Sequence, residues 1–168
     1  MPPIKIVDLF AGPGGLGEGF SSLDDSFEIV VSAEMDPHAR ATLQLRAYFR
    51  LLQKEKPECL NDYYRFCNGE ANEPYTEETQ DLWLKSLEEA RQIKLGSEEG
   101  NKELDQSIIS AKLKENNDHW VLIGGPPCQA YSLVGRARNK GNCEYRAEED
   151  HRHFLYEEYL RIIQECSP

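Results

Sequence analysis

The chain has 168 residues, enough for one domain with its own core, and 39% of them are hydrophobic. No apolar run nears the roughly 20 residues of a membrane helix, and residues 1–5 carry no secretion signal, so a cytoplasmic chain without membrane contact is expected. A net charge of −11 argues against the chain alone gripping nucleic acid, but the excess is local: residues 53–118 hold 9 Lys plus Arg against 16 Asp plus Glu.

Residues 4–10 form an apolar run that enters the glycine-rich stretch Ala11-Gly12-Pro13-Gly14-Gly15 and then Leu16, which reads as strand, tight turn, helix. Residues 27–33 give a second strand ending at Glu34. Asp36-Pro37 then supplies an N-cap and a first-turn proline for a helix that runs toward Gln53. The β-α-β-α order predicts a parallel sheet with right-handed crossovers. Residues 55–74 are irregular, broken by Pro57, Asn61, Asn68, Gly69 and Pro74, and are expected to leave the sheet. Thr76 is expected to cap a helix presenting Trp83, Leu87 and Ala90. Residues 92–95 are a short-strand candidate, and residues 102–115 predict an amphipathic helix. Residues 120–123 form an apolar strand ending in Gly124-Gly125-Pro126-Pro127-Cys128, and a last helix is expected over 153–165. The acidic stretch at about 55–118 thus reads as a helical insertion in one domain spanning 1–168.

The turn at residues 10–15 needs glycines because the backbone must fold tightly and approach a ligand without a Cβ in the way. The amides opening the next helix suit a carboxylate or phosphate of a nucleotide-like ligand. Glu34, at the tip of the second strand, stands where doubly wound folds place the acid that holds ribose hydroxyls. A glycine turn alone could be only a sharp corner; with Glu34 in register, ligand binding is the stronger reading. The glycines fit G-x-G-x-x-G poorly, which disfavours a dinucleotide. Cys128 lies at the carboxyl end of a buried strand in a proline-stiffened loop, a placement suited to a nucleophile. Arg136, Arg138 and Lys140 follow and could favour its thiolate, grip a phosphate, or merely solvate a loop. Five cysteines without a C-x-x-C pair point to reduced thiols and to no metal.

Four blocks in order carry a family resemblance: Asp8-Leu9-Phe10-Ala11-Gly12-Pro13-Gly14-Gly15-Leu16, Glu34-Met35-Asp36-Pro37, Gly124-Gly125-Pro126-Pro127-Cys128-Gln129-Ala130-Tyr131-Ser132, and the helix Leu155-Tyr156-Glu157-Glu158-Tyr159-Leu160-Arg161-Ile162-Ile163. They resemble the motifs of DNA (cytosine-5) methyltransferases. The resemblance implies an α/β, Rossmann-like S-adenosylmethionine-dependent methyltransferase fold, with a parallel sheet flanked by helices and incomplete at the C-terminus. It implies that Phe10, Ala11, Gly12, Gly14, Gly15 and Leu16 surround S-adenosylmethionine, that Glu34 holds its ribose, and that Met35 packs on its adenine. Pro127 and Leu155 would line the same pocket. Cys128 would add to C6 of cytosine in double-stranded DNA, after the base is flipped from the stack. The loop from Arg136 to Lys140 resembles the family's DNA-closing segment. The contact to the adenine amino group stays open between Asp105 and the Gly96-Ser97 region.

In this family a glutamate strand and a target-recognition domain follow, so the fragment alone is expected to be inactive and its truncated sheet edge to self-associate. The rival readings are an RNA cytosine-5 methyltransferase and a non-catalytic cofactor-binding or interaction remnant.

Overall fold

The computed structural model describes residues 2–23, 26–113, 120–126 and 155–168. Four strands, β1 (Ile4–Leu9), β2 (Phe27–Glu34), β3 (Ala90–Gln92) and β4 (Trp120–Gly124), form one parallel sheet in the order β3-β2-β1-β4. Helices α1 (Gly15–Ser21), α2 (Pro37–Glu55), α3 (Leu60–Cys67), α4 (Gln80–Glu89), α5 (Glu98–Ser110) and α6 (Leu155–Cys166) connect and flank the strands. The architecture is the expected α/β fold, because strands this apolar must be covered on both faces.

One face of β1 and β2 presents Val7, Leu9, Val31 and Ala33 to the main core, where Leu104 and Ile108 of α5 and Ile162 of α6 meet them. The opposite face carries Asp8 and Ile29 beneath α1. A bulge makes this alternation work: Ile6 pairs with Ile29 but Val7 pairs with Val31, leaving Val30 as the extra residue. Helix α1 contains three glycines, poor helix formers, and close packing explains Gly17. A Cβ there would lie 2.8 Å from Ile29 Cδ1.

Helix α2 begins as its sequence dictates, since Asp36 Oδ1 accepts from the His38 and Ala39 amides at 3.0 and 2.8 Å with Pro37 in the first turn. Its far half supports a second, smaller core of Tyr48, Leu52 and Leu82, against which Leu60, Tyr63, Tyr75 and Trp83 pack. Here the structure corrects the irregular reading of residues 55–74, which contain a 3-10 turn, Pro57–Cys59, and helix α3. Pro57 opens this helical stretch instead of breaking it. Tyr63 anchors α3 with its ring 5.1 Å from Phe49 and 6.2 Å from Tyr48.

Helix α4 starts at Gln80 and not near Thr76, because Thr76 to Thr79 is spent on a turn: the Thr79 amide donates to the Thr76 carbonyl and the Thr76 amide to Thr79 Oγ1. The third strand spans 90–92, two residues before the expected segment, and joins the sheet directly after α4 opposite Ser32, Ala33 and Glu34. Helix α5 starts at Glu98, earlier than expected, because Ser97 Oγ accepts from the Gly100 amide as its N-cap. It ends at Ser110, short of the predicted 115, and Lys112 then takes a left-handed conformation with φ 56°.

Replacing Asp36 by Ala removes both cap bonds of α2. Chemical denaturation should show a loss of about 1 kcal/mol with an unchanged denaturant slope.

Candidate active site at the carboxyl end of the sheet

The crevice is built by two adjacent strand-to-helix turns. After β1 the chain turns through Phe10 (φ 56°), Gly12 (φ 56°) and Gly14 (φ 86°). Gly12 and Gly14 adopt these left-handed values without steric cost, whereas Phe10 is held there by its surroundings. The Ala11 amide donates to the Ala33 carbonyl at 3.2 Å and the Gly14 amide to the Ala11 carbonyl at 3.0 Å, which fixes the turn against the end of β2.

Glu34 joins the two turns. Its Oε2 accepts from the Gly12 amide and its Oε1 from the Asp36 amide, each at 2.8 Å. Each oxygen keeps a second lone pair, so the carboxylate can still accept from ligand hydroxyls. A Cβ on Gly12 or Gly15 would meet nothing within 4 Å, so the turn leaves open space beside it. Leu16 and Met35 stand on the two sides, with 51% and 61% of their surface exposed. Phe10 packs against the main core, as does Tyr159 of α6. Leu155, also on α6, sits against Gly96, where a Cβ would come within 2.9 Å of Leu155 Cδ2.

Asp105 is occupied elsewhere: both its carboxylate oxygens bind Arg161 Nη1, at 2.9 and 3.2 Å, and so join α5 to α6. The Gly96-Ser97 turn follows β3, and Ile93 extends that pairing by donating its amide to the Glu34 carbonyl at 3.0 Å. Pro127, Cys128 and the Arg136 to Lys140 loop lie outside the described residues. The strand that leads to them ends at Gly124, whose φ is 123° and whose absent Cβ would fall 1.8 Å from the Leu9 carbonyl oxygen. Only glycine fits there.

The sequence reading gave Asp8 no role of its own. It is 1% exposed, and among the described residues neither of its oxygens has a hydrogen-bond partner and neighbouring Ser32 Oγ is equally unpartnered. Burial, and secondarily the Glu34 charge, push its carboxyl up to about 6. The available signal was one acid inside the otherwise apolar run of β1 beyond Lys5. Among the described residues, one group has metal-ligand proximity, Glu58, Cys59 and Glu78 within 4.8 Å of one another. It follows the C-terminal end of α2, and the crevice lies at the other end of that helix.

Residues 4–58 and 82–168 match the family model of the C-5 cytosine-specific DNA methylases. The chain belongs to this family. It is similar to the type II methyltransferase M.Bpa9945I of Bacillus paralicheniformis, with 31% identity over 97% of this chain and 38% of that protein. The putative type II methyltransferase M.MjaORF1200P of Methanocaldococcus jannaschii is 28% identical over 98% of this chain and 46% of its own length. The type II methyltransferase M.FnuDI of Fusobacterium nucleatum is 24% identical, with 30% of its length covered. The chain therefore spans less than half of these relatives. No solved structure matches. The stretch between the two matched segments, 59–81, contains α3 and the turn before α4, so the methylase family match and the main core leave out the same excursion. Among the described residues, no helix is long and apolar enough to cross a membrane.

Two measurements test this site. Asp8 binds its proton more tightly folded than unfolded, so the associated stability is complete below the ordinary 3.8 and is lost as pH rises through about 6. Asp8→Asn should therefore raise stability at pH 7 by up to about 3 kcal/mol and make little difference at pH 3.5. Gly124→Ala forces Cβ into the Leu9 carbonyl and should cost roughly 3 kcal/mol or more in the same denaturation assay.

Proposed function

We propose that this chain is the cofactor-binding and nucleophile-bearing part of a DNA (cytosine-5) methyltransferase that uses S-adenosylmethionine on double-stranded DNA. The observation that carries the reading is the Glu34 carboxylate, held at the tip of β2 by the Gly12 and Asp36 amides, facing a turn with open space beside Gly12. The residues fit S-adenosylmethionine in their chemistry. Glu34 would accept the ribose hydroxyls, Met35 and Leu155 would flank the adenine, and Phe10, Ala11, Gly12, Gly14, Gly15 and Leu16 would wrap the remainder with Pro127. Because Asp105 is bound to Arg161, we assign the adenine amino group to the Gly96-Ser97 turn.

When bound, the cofactor supplies an electrophilic methyl group. The protein's own contribution to the chemistry is Cys128. Its thiolate would add to C6 of a flipped-out cytosine, giving C5 the electron density to take the methyl group. Loss of the C5 proton would then expel the thiolate and restore the aromatic ring. The part of the insertion that leaves the fold is best placed at 59–81, since β3 and α5 belong to the sheet and the main core. A cytoplasmic protein fits this role.

Calorimetric titration of S-adenosylmethionine into the chain tests the proposal. Wild type should bind, and Glu34→Gln should weaken binding by roughly tenfold or more, because the charge of the acceptor and one of the two amide bonds that tie the turns together are lost at once. Equal binding by both, with circular dichroism showing both folded, would overturn the role given to Glu34.

A further inference from the structure

Asp8 and Ser32 are register partners on β1 and β2, both 1% exposed, and none of their three side-chain oxygens has a hydrogen-bond partner among the described residues. Leaving buried polar groups unpaired is costly, and a buried carboxylate most of all. The pair sits immediately below the crevice, since Asp8 is two residues before Phe10 and Ser32 two before Glu34. Helix α1 covers it closely: a Cβ on Gly17 would lie 3.4 Å from Asp8 Oδ2. The charged and titratable groups on the surrounding elements are mostly acidic. They are Glu34 on β2, Glu18 on α1, Glu89 at the end of α4 and the Tyr159 hydroxyl of α6, with Arg50 of α2 already bound to both Glu18 and Glu89.

We propose that Asp8 is the buried counter-charge of the cofactor site, a carboxyl whose ionised form is disfavoured in the donor-free chain and favoured when the cationic methyl donor is bound. This inference rests on the cofactor reading above. It follows from the environment of the carboxyl: with no hydrogen-bond partner among the described residues, and with Arg46 and Arg50 already paired to other acids, its ionised form gains most from a positive charge entering the crevice. S-adenosylmethionine carries a sulfonium, whereas its demethylated product is a neutral thioether, so the field of an ionised Asp8 favours substrate over product. No bond forms to Asp8; the fraction of its carboxyl that still carries a proton loses it to solvent as the donor binds. Asp8 acts here as a positioning residue through its field, at a distance from the methyl group. A charge pair about 10 Å apart at an effective dielectric of about 20 corresponds to a preference on the order of tenfold.

The test is calorimetric titration of the wild-type chain at pH 6 in two buffers of different ionisation enthalpy, with S-adenosylmethionine and then S-adenosylhomocysteine as ligands. With a carboxyl that titrates at about 6, S-adenosylmethionine should release about half a proton per site and S-adenosylhomocysteine much less. The preference for the sulfonium should rise on the order of tenfold between pH 5 and 7, and should be flat with pH in Asp8→Asn. Binding of S-adenosylmethionine without proton release, and with the same pH-independent preference in both proteins, overturns the role of Asp8 while the cofactor reading stands. No binding by the folded wild type overturns that reading and this inference together. If Asp8→Asn fails to fold, proton release and the pH dependence of the preference in wild type decide the question.

Discussion

The two bonds to Glu34 hold together the parts of the crevice that the chain builds separately. The first turn comes from β1 and α1, the second from β2 and α2, and beside the backbone bond from the Ala11 amide to the Ala33 carbonyl a side chain ties them together. One carboxylate does so by accepting from Gly12 on one side and Asp36 on the other. The Asp36 amide that it takes belongs to the residue that caps α2, so the start of that helix and the shape of the glycine turn are linked through one side chain. The same carboxylate faces the space a ligand would fill. The group that organises the crevice is thus also the one best able to recognise hydroxyls there.

Two cores divide the remaining work. The main one lies between the sheet and helices α5 and α6, and it fixes the strands whose carboxyl ends form the crevice. The smaller one, on the far half of α2, is largely aromatic and bonded through Tyr48 Oη to Thr79 Oγ1 at 2.8 Å. It keeps the excursion folded against a helix that the fold needs anyway. Much of the chain's negative charge therefore sits beyond the far end of α2 from the crevice, where it opposes an approaching polyanion least.

What the sequence made legible was local. Asp36-Pro37 specifies a helix start, and residues 120–123 specify a buried strand, whatever the rest of the chain does. The glycine turn and Glu34 were visible as separate signals, but the bonds between them depend on strand register and had no sequence mark. The misreadings share a cause: their structure is decided by partners. Strand β3 is three residues long, too short for a period, and is defined by β2 beside it. Helix α3 looked irregular because its anchor, Tyr63, finds its support on α2. Glu98, Glu99 and Gly100 look like a polar loop until Ser97 caps them, which hides the start of α5. Asp8 stands in the sequence as one letter of a motif, and only burial reveals that its carboxyl has no hydrogen-bond partner among the described residues.

Several unfavourable features meet at the crevice. Phe10 is in a left-handed conformation, Asp8 and Ser32 are buried without partners, and the Asp8 and Glu34 charges repel, all within a few residues of the carboxyl ends of β1 and β2. Costs of this kind beside a crevice are expected where it is shaped for a bound state as well as for the stability of the chain. Linkage gives the idea its physical content. A cation that lowers the cost of ionising Asp8 is bound more tightly to the same extent, so the strain stored in the donor-free crevice and its preference for a positively charged ligand are one free energy seen from two sides.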